Sequence, residues 1–202
     1  MASRYADLTF TDTVRRFQDQ AGSRASYARL EDGPPTNALL GEREAAFIAG
    51  SDSLFMATVS QTGWPDVQHR GGPAGFVCVL DATTIGFADF RGNRQYISVG
   101  NLADDDRVAL IFVDHANRQR LKLLGRARSI DAADAATLAR LEVADYRARV
   151  ERGLVINVEA FDWNCPQHIP QLFSLAEIEI LAAPLHARIA ELEASLAEAR
   201  AG

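Results

Sequence analysis

The sequence contains little cysteine and no long apolar run. Only Cys78 and Cys165 are present among 202 residues, and they have no paired spacing. No stretch approaches the roughly 20 consecutive apolar residues that a membrane-spanning helix requires. The first ten residues lack the basic and then apolar layout of a signal peptide. We therefore expect a cytoplasmic protein that has no membrane partner.

Positive charge is also in deficit. Lysine and arginine number 21 against 27 acidic residues, which gives a formal net charge of −6. Such a molecule repels the phosphates of nucleic acids, so we expect no nucleic acid partner, and any anion site must be local. A Rossmann glycine fingerprint, a P-loop and a zinc-protease helix are also absent from the sequence.

The length and the 48% hydrophobic content fit one core with terminal extensions. Residues 32–37 include two prolines and cannot support a helix, so we interpret residues 1–38 as an arm or linker. Residues 39–180 then form the main domain and residues 181–202 a C-terminal helix. In that helix Pro184 suits the first position, and apolar residues follow at spacings of four and three over about two heptads. They are Leu185, Ile189, Leu192 and Leu196.

The central part of the chain reads as short strands with a few helices. A helix is predicted from Leu40 to Ile48, ended by Gly50. Further helices are predicted at 94–102 and 131–151, and strands at 53–60, 65–69, 75–80, 84–89, 107–114, 121–130 and 154–160. The run 107–114 is continuously apolar, which predicts a strand buried on both faces. Six or seven mostly antiparallel strands favour a β-barrel over a parallel sheet.

One face of the predicted strand 121–130 is basic. Leu121, Leu123 and Ala127 occupy the other face. No acidic residue lies between His115 and Arg128, so the basic face is either a solvated outer surface or a wall that faces an anion. The basic residues that share its parity are Arg118, Arg120, Lys122, Arg126 and Arg128.

The segment FADFRGNRQY, residues 87–96, runs from a strand through a bend into a helical stretch. This geometry suits a phosphate, because N–H groups at a helix start and the guanidinium groups of Arg91 and Arg94 attract a dianion. Gly92 lets backbone approach the ligand, and Asn93 can cap the helix. A strand-turn-helix with two arginines is common, so a purely structural bend stays open.

A second polar segment ends the predicted strand 65–69. Gln68, His69 and Arg70 precede Gly71 and Gly72, which permit either a tight bend or a flat ligand lying against backbone. A simple transition from strand to loop is the alternative.

Four segments together resemble the flavin-nucleotide-binding members of the pyridoxamine 5′-phosphate oxidase-like superfamily. They are ATVSQTGWPDVQHR, ATTIGFADFRGNRQYISVGNL, DDDRVALIFVD and RLKLLGRARSI, in the family's order and spacing, and the resemblance covers about residues 40–170. It implies a mainly β, α+β fold, namely a six-stranded antiparallel split β-barrel with flanking helices and a C-terminal amphipathic helix. It also implies a homodimer with two FMN sites at the interface.

The resemblance also implies a set of FMN contacts. The end of the second strand, at Gln68, His69, Arg70 and Gly71, touches the flavin. The family's phosphate-binding triplet falls on Gly92, Asn93 and Arg94, without its usual serine and central arginine, so Arg91 supplies charge and Gln95 adjoins the site. The family's basic strand places Lys122 towards the cofactor.

The segment DWNCPQH, residues 162–168, is similar to a signature of one subgroup. Trp163 can stack on the flavin ring, and Gln167 and His168 can hydrogen-bond its edge. Alternatives are Trp163 in the core, Cys165 with His168 as half of a metal site, or the same two residues as nucleophile and base.

These observations predict an FMN-dependent oxidoreductase that acts on an unidentified small molecule, with no residue assigned as catalytic. The family's C-terminal substrate-phosphate motif is not found, so pyridoxamine phosphate is not the expected substrate. A non-catalytic flavin sensor or carrier is one alternative, and the same fold binding haem or a deazaflavin is another.

Overall fold

The computed structural model describes residues 2–163 and 166–201. They form two compact units. The first comprises the chain up to Asp114 together with residues 119–166, and the second comprises residues 115–118 and the chain from Gln167 onward. The part of the chain that the structure describes contains no helix long and apolar enough to cross a membrane.

The arm at the start of the first unit is helical, although the sequence pattern predicted no helix there. Its helices are only five to nine residues long, too short for a clear apolar period, and the side chains of Ser3 and Thr11 cap the first two. Residues 32–37 are free of helix, as predicted. The elements of the arm are β1 (Ala2–Ser3), α1 (Arg4–Thr9), α2 (Asp12–Gln20), α3 (Arg24–Ala28) and β2 (Pro35–Thr36), with β1 and β2 parallel.

A seven-stranded antiparallel sheet follows, which confirms the predicted split barrel with one strand more than the six expected. The strand order is β4-β3-β7-β8-β9-β6-β5. The remaining elements of this unit are α4 (Glu42–Gly50), β3 (Ser53–Val59), β4 (Pro65–Gly71), β5 (Val77–Asp81), β6 (Thr84–Phe90), α5 (Ile97–Asp104), β7 (Arg107–Asp114), β8 (Gln119–Ile130), a 3₁₀ turn at Ala132–Asp134, α6 (Ala135–Leu141) and β9 (Val150–Trp163).

The core lies inside this sheet and beneath α4. A smaller second cluster surrounds Ile130 and Leu141, and the most deeply buried members of the main cluster come from six different elements. They include Ile48, Met56, Phe112, Leu121 and Ile156.

One strand prediction and one helix prediction are wrong. β7 alternates, with Val108, Leu110 and Phe112 buried and Arg107 exposed, so only one of its faces is covered. The predicted helix 131–151 ends at Leu141, where the backbone of Glu142 becomes extended, and the chain passes through a left-handed residue at Asp145, with φ of 61°, before β9 begins at Val150.

The predicted division of β8 into an apolar and a basic face is confirmed, but the basic face is not a free anion wall. Asp162 of β9 lies opposite Lys122 in register, and their charged groups are 3.2 Å apart. Arg126 pairs with Asp106 at 2.7 Å and with Glu159 at 2.6 Å. The neutralising carboxylates come from neighbouring segments, which a search along β8 alone does not find.

The second unit contains one long helix, α7 (Leu175–Ala201). Pro184 lies inside it, so the prediction that the helix begins at Pro184 is wrong. A capping box starts the helix earlier: Glu177 N–H donates to Ser174 Oγ at 3.2 Å, and Ser174 N–H donates to Glu177 Oε2 at 2.7 Å.

Candidate functional site

The ends of β4 and β6 meet, although four strands separate them in the sheet order. Arg70, near the end of β4, donates from Nη1 to Asp89 Oδ1 on β6 at 2.9 Å. The first and sixth strands of the sheet order therefore approach each other by curling of the sheet. This contact brings two of the sequence-predicted segments, 68–71 and 91–95, into one region.

Asp89 is the buried acid of this region. It is 8% exposed, and Arg152 Nε lies 3.4 Å from its second carboxylate oxygen. Burial raises the pKa of Asp89 above its ordinary value, the nearby charges of Arg70 and Arg152 only partly oppose this, and Glu151 adds to the rise.

The bend after β6 has an unusual backbone. Arg94 and Tyr96 both occupy the left-handed region, with φ of 63° and 55°. Gln95 N–H donates to Asn93 Oδ1 at 3.1 Å, which is a local turn made by the asparagine side chain. Gly92 has open space where a side chain would be. Left-handed non-glycine residues are uncommon and concentrate at functional sites.

Glu151 gathers several cationic side chains beside this bend. Its carboxylate lies 3.8 Å from Arg91 Nε, 3.9 Å from Arg94 Nε and 3.2 Å from Arg152 Nη2. Tyr96 OH donates to Glu151 at 3.2 Å and accepts from Arg94 Nε at 2.9 Å. Hydrogen bonding to Tyr96, with the charges of Tyr96 and Glu151, raises the pKa of Arg94.

The charges of this region do not balance. Four guanidinium groups stand against the carboxylates of Asp89 and Glu151, which leaves a local surplus of positive charge in an acidic protein. The guanidinium groups belong to Arg70, Arg91, Arg94 and Arg152.

Helix α5 begins at the same place. Its N-cap residue is Tyr96, which makes no side-chain cap, so its first N–H groups are left for another acceptor. Ser98, in the first turn, is 3% exposed, and its Oγ has no hydrogen-bond partner among the described residues.

Six of the sequence-predicted residues line one cavity at this helix start. They are Gln68, Arg70, Gly92, Asn93, Arg94 and Gln95, and they share the cavity with Tyr96, Ser98 and Glu151. Three further predicted residues, His69, Gly71 and Arg91, line an adjoining cavity together with Gln68 and Arg70. The His69 ring packs edge-on against Phe55 with ring centroids 5.5 Å apart.

Lys122 lies elsewhere in the first unit. Besides pairing with Asp162, its Nζ sits 4.5 Å from the centre of the Tyr5 ring. Lys122 and Asp162 line a separate cavity of about 450 Å³ beneath the helices of the arm. Within one chain the structure therefore does not bring Lys122 to the bend.

Trp163 packs on α4. Its Nε1 donates to Glu44 at 2.7 Å, the Arg43 guanidinium lies 3.9 Å from the centre of its ring, and the Phe47 ring is 4.8 Å away. These contacts hold the indole of Trp163, at the end of β9, against α4.

The remaining predictions fall in the second unit or outside the described residues. Gln167 and His168 belong to the second unit, where His168 has a positive φ of 63°. Asn164 and Cys165 lie outside the described residues, and so does the hypothesis of Cys165 as metal ligand or nucleophile. Among the residues that are described, no group of three or more His, Cys, Asp or Glu side chains is placed to hold a metal ion.

Five residues of this site were not predicted from the sequence. Asp89 gave a signal, because it is an acid inside an otherwise apolar strand. Glu151 was hidden by the helix wrongly extended to it, Arg152 fell between that helix and the predicted strand 154–160, and nothing local distinguishes Ser98 or Tyr96. All five line or border the cavity at the start of α5.

The fold is thus an antiparallel split barrel with an arginine-rich bend and an uncapped helix start at one end. The chain belongs to the pyridoxamine 5′-phosphate oxidase family, whose model matches residues 40–168, well over half of the chain. No curated protein matches the sequence significantly.

Solved structures with a similar fold come from several bacteria. An FMN-binding protein from Syntrophomonas wolfei is 12% identical, covers 76% of this chain and 96% of its own, and has a TM-score of 0.47. Group A Streptococcus HupZ is 17% identical, covers 67% and 100%, and has a TM-score of 0.46. A general stress protein 26-related protein of the pyridoxinephosphate oxidase family from Clostridium acetobutylicum is 16% identical, covers 67% and 94%, and has a TM-score of 0.45. Likenesses at this level assign no ligand to this chain.

Proposed function

We propose that the chain binds FMN, with the flavin phosphate at the bend 91–95 and the first turn of α5, and that it is an FMN-dependent oxidoreductase acting on a small molecule. The observation that carries the proposal is the Ser98 hydroxyl, buried without a described partner at an uncapped helix start, in the same cavity as Arg94. A buried hydroxyl without a partner is costly in a folded protein, and a bound oxyanion would satisfy it.

A phosphate dianion fits the chemistry of these groups. The N–H groups of the first turn and the positive end of the α5 dipole attract an anion, and guanidinium groups add charge-assisted hydrogen bonds. Gly92 leaves room for a ligand to approach backbone. The surplus of positive charge around Glu151 supports the same assignment.

The flavin ring is assigned to the adjoining cavity. Gln68 and His69 offer hydrogen-bonding edges there, and Gly71 lets a flat ring lie close to backbone. Arg70 has a buried Nε with no hydrogen-bond partner among the described residues, which is a further donor for a polar ring edge. FMN, when bound, would supply the redox chemistry, while the chain orients it and places cationic groups that favour its reduced, anionic form.

We further propose a homodimer in which Lys122 and Trp163 contribute to the flavin site of the second copy. Neither residue lines the two cavities at the bend within one chain, which supports a contribution across a subunit interface. The same proposal assigns Gln167 and His168 to the flavin site.

The phosphate assignment is tested by comparing FMN with riboflavin, which lacks the phosphate. We expect the wild type to bind FMN at least tenfold more tightly, measured by flavin fluorescence during titration of the purified chain. Ser98→Ala and Arg94→Ala should reduce the affinity for FMN and leave the affinity for riboflavin nearly unchanged. Ser129→Ala, on the exposed outer part of β8, is the matched serine control. Equal loss for both ligands, or no loss for either, contradicts the assignment.

Turnover is tested separately from binding. The visible spectrum of the purified protein identifies the bound group and distinguishes FMN from haem or a deazaflavin. Anaerobic addition of a nicotinamide donor should then bleach the bound flavin, and a suitable acceptor should restore its absorbance. A flavin that no donor reduces would indicate a non-catalytic carrier or sensor.

A further inference from the structure

The long helix α7 extends the apolar repeat that was predicted from Leu185 to Leu196 in both directions. With the helix beginning at Leu175, apolar residues occupy both core positions of a heptad repeat, a and d, without interruption to residue 199. The a/d row is Leu175, Ala182, Ile189 and Leu196 at a, with Ile178, Leu185, Leu192 and Ala199 at d.

The a/d row is exposed to solvent. Its six leucine and isoleucine side chains are between 48% and 80% exposed, and α7 is the principal element of its unit. A helix with such a row normally buries it against another helix, and a row sustained over three to four heptads is the sequence signature of a coiled coil. Pro184 falls at position c, outside the row, so its ring is not among the side chains of the row, although it removes one backbone hydrogen bond within α7.

We propose that α7 pairs with α7 of a second copy of this chain as a parallel, in-register, two-stranded coiled coil. This self-association surface is additional to the proposed flavin-site interface and does not depend on it. The middle of the row supports two strands, because Ile189 at a lies between Leu185 and Leu192 at d, which is the combination that favours parallel dimers; the first heptad, with Leu175 at a and Ile178 at d, has the reverse pattern.

The charges that flank the row favour the parallel orientation. Arg188 is at position g and Glu193 is at the following e, which is the pair that meets across a parallel dimer. Two-fold symmetry gives this attractive pair twice. An antiparallel pair that aligns the whole row would instead bring the Arg188 side chains of the two copies near each other at its centre, which is repulsive.

A disulfide test on the full chain distinguishes these arrangements. Ala182→Cys places a thiol at an a position, where the two copies of the residue face each other only in the parallel, in-register pair. We expect mild oxidation to convert most of this variant to a covalent dimer that a reductant reverses. Ala187→Cys, on the outward f position of the same helix, is the matched control, and wild type gives the background from Cys78 and Cys165.

Charge reversal provides the second measurement in the same Ala182→Cys background. Glu193→Arg should lower the cross-linking yield at least fivefold, and Arg188→Glu together with Glu193→Arg should restore it. Circular dichroism of each variant checks that the helix persists. A yield for Ala182→Cys no higher than for Ala187→Cys, as expected if α7 packs on its own chain or pairs antiparallel, overturns the proposal.

Discussion

Arg70 Nη1 lies 2.9 Å from Asp89 Oδ1, and this ion pair joins the end of β4 to the end of β6. Both side chains are mostly buried, and Arg152 approaches the same carboxylate from β9. The pair therefore fixes the place where the two halves of the barrel meet and where the segments 68–71 and 91–95 face a common cavity.

Replacing Arg70 by methionine should destabilise the protein in a pH-dependent way. The substitution keeps most of the volume but removes a charged hydrogen bond, which costs about 2 kcal/mol. Because the folded-state pKa of Asp89 is already raised, its contribution to stability is present below its ordinary pKa and is lost as pH rises through the raised value. Loss of Arg70 raises that pKa further, so urea unfolding should show the greatest loss at neutral pH and a smaller one in mild acid.

The double-mutant cycle with Asp89→Asn is the control for this prediction. If the two residues act as a pair, their combined cost is smaller than the sum of the single costs. A loss of stability that is independent of pH, or costs that simply add, would show that Arg70 stabilises the fold by packing alone.

Glu151→Gln should strengthen FMN binding. The Glu151 carboxylate competes with a bound phosphate for Arg91 and Arg94, and it repels the phosphate itself. Removing one nearby charge at a partly solvated site is worth roughly 1 kcal/mol, or about fivefold in affinity. Titration of wild type and variant with FMN and with riboflavin, at low and high salt, measures the change in affinity. Only the affinity for FMN should increase.

The opposite result for Glu151→Gln is also informative. Weaker FMN binding, with riboflavin unchanged, would mean that Glu151 orients the arginines and that this ordering outweighs its repulsion. Glu159→Gln is the matched control, since Glu159 lies on the same strand and pairs with Arg126 rather than with the arginines of the site.

Asp105 should titrate at unusually low pH. Hydrogen bonds from the Arg107 side chain, at 2.8 Å from Nε, and from its backbone N–H lower the pKa of Asp105 from 3.8 to about 2. The lowered pKa means that the stabilisation from Asp105 is present above pH 3.8 and is lost as pH falls towards 2. Carboxyl NMR should show this pKa in the wild type and a higher pKa, still below 3.8, in Arg107→Ala, which keeps the backbone N–H. A pKa in Arg107→Ala that is unchanged from wild type would assign the shift to the backbone instead.

The sheet could be predicted from sequence because its signal is local. β-branched and apolar runs with turns between them located all seven strands, and the alternation in β8 identified its buried face correctly. The short helices of the arm and the start of α7 were missed because their signals are caps, such as Ser174 with Glu177, rather than a long apolar period.

The site was predictable only as far as it is contiguous in sequence. Gly92, Asn93, Arg94 and Gln95 form one bend, and their role in a cavity follows from that bend together with the family resemblance. Glu151 and Arg152 reach the same cavity from a strand more than 50 residues later, through β9 pairing with β6. Such contacts depend on strand order, which local patterns do not specify.

Gly125→Ala should be among the most destabilising small substitutions in this chain. A Cβ at this position would lie 2.5 Å from the Asn157 carbonyl oxygen and 3.0 Å from Ile156 Cγ2, where β8 and β9 shift register. Because the first of these atoms is backbone, the strands must move apart, at a cost of roughly 2–3 kcal/mol. Gly50→Ala, at the end of α4, meets nothing within 4 Å and should be neutral or slightly stabilising. Urea unfolding of both variants measures the contrast, and equal stabilities would mean that the β8–β9 register can adjust freely, so that Gly125 is not what sets it.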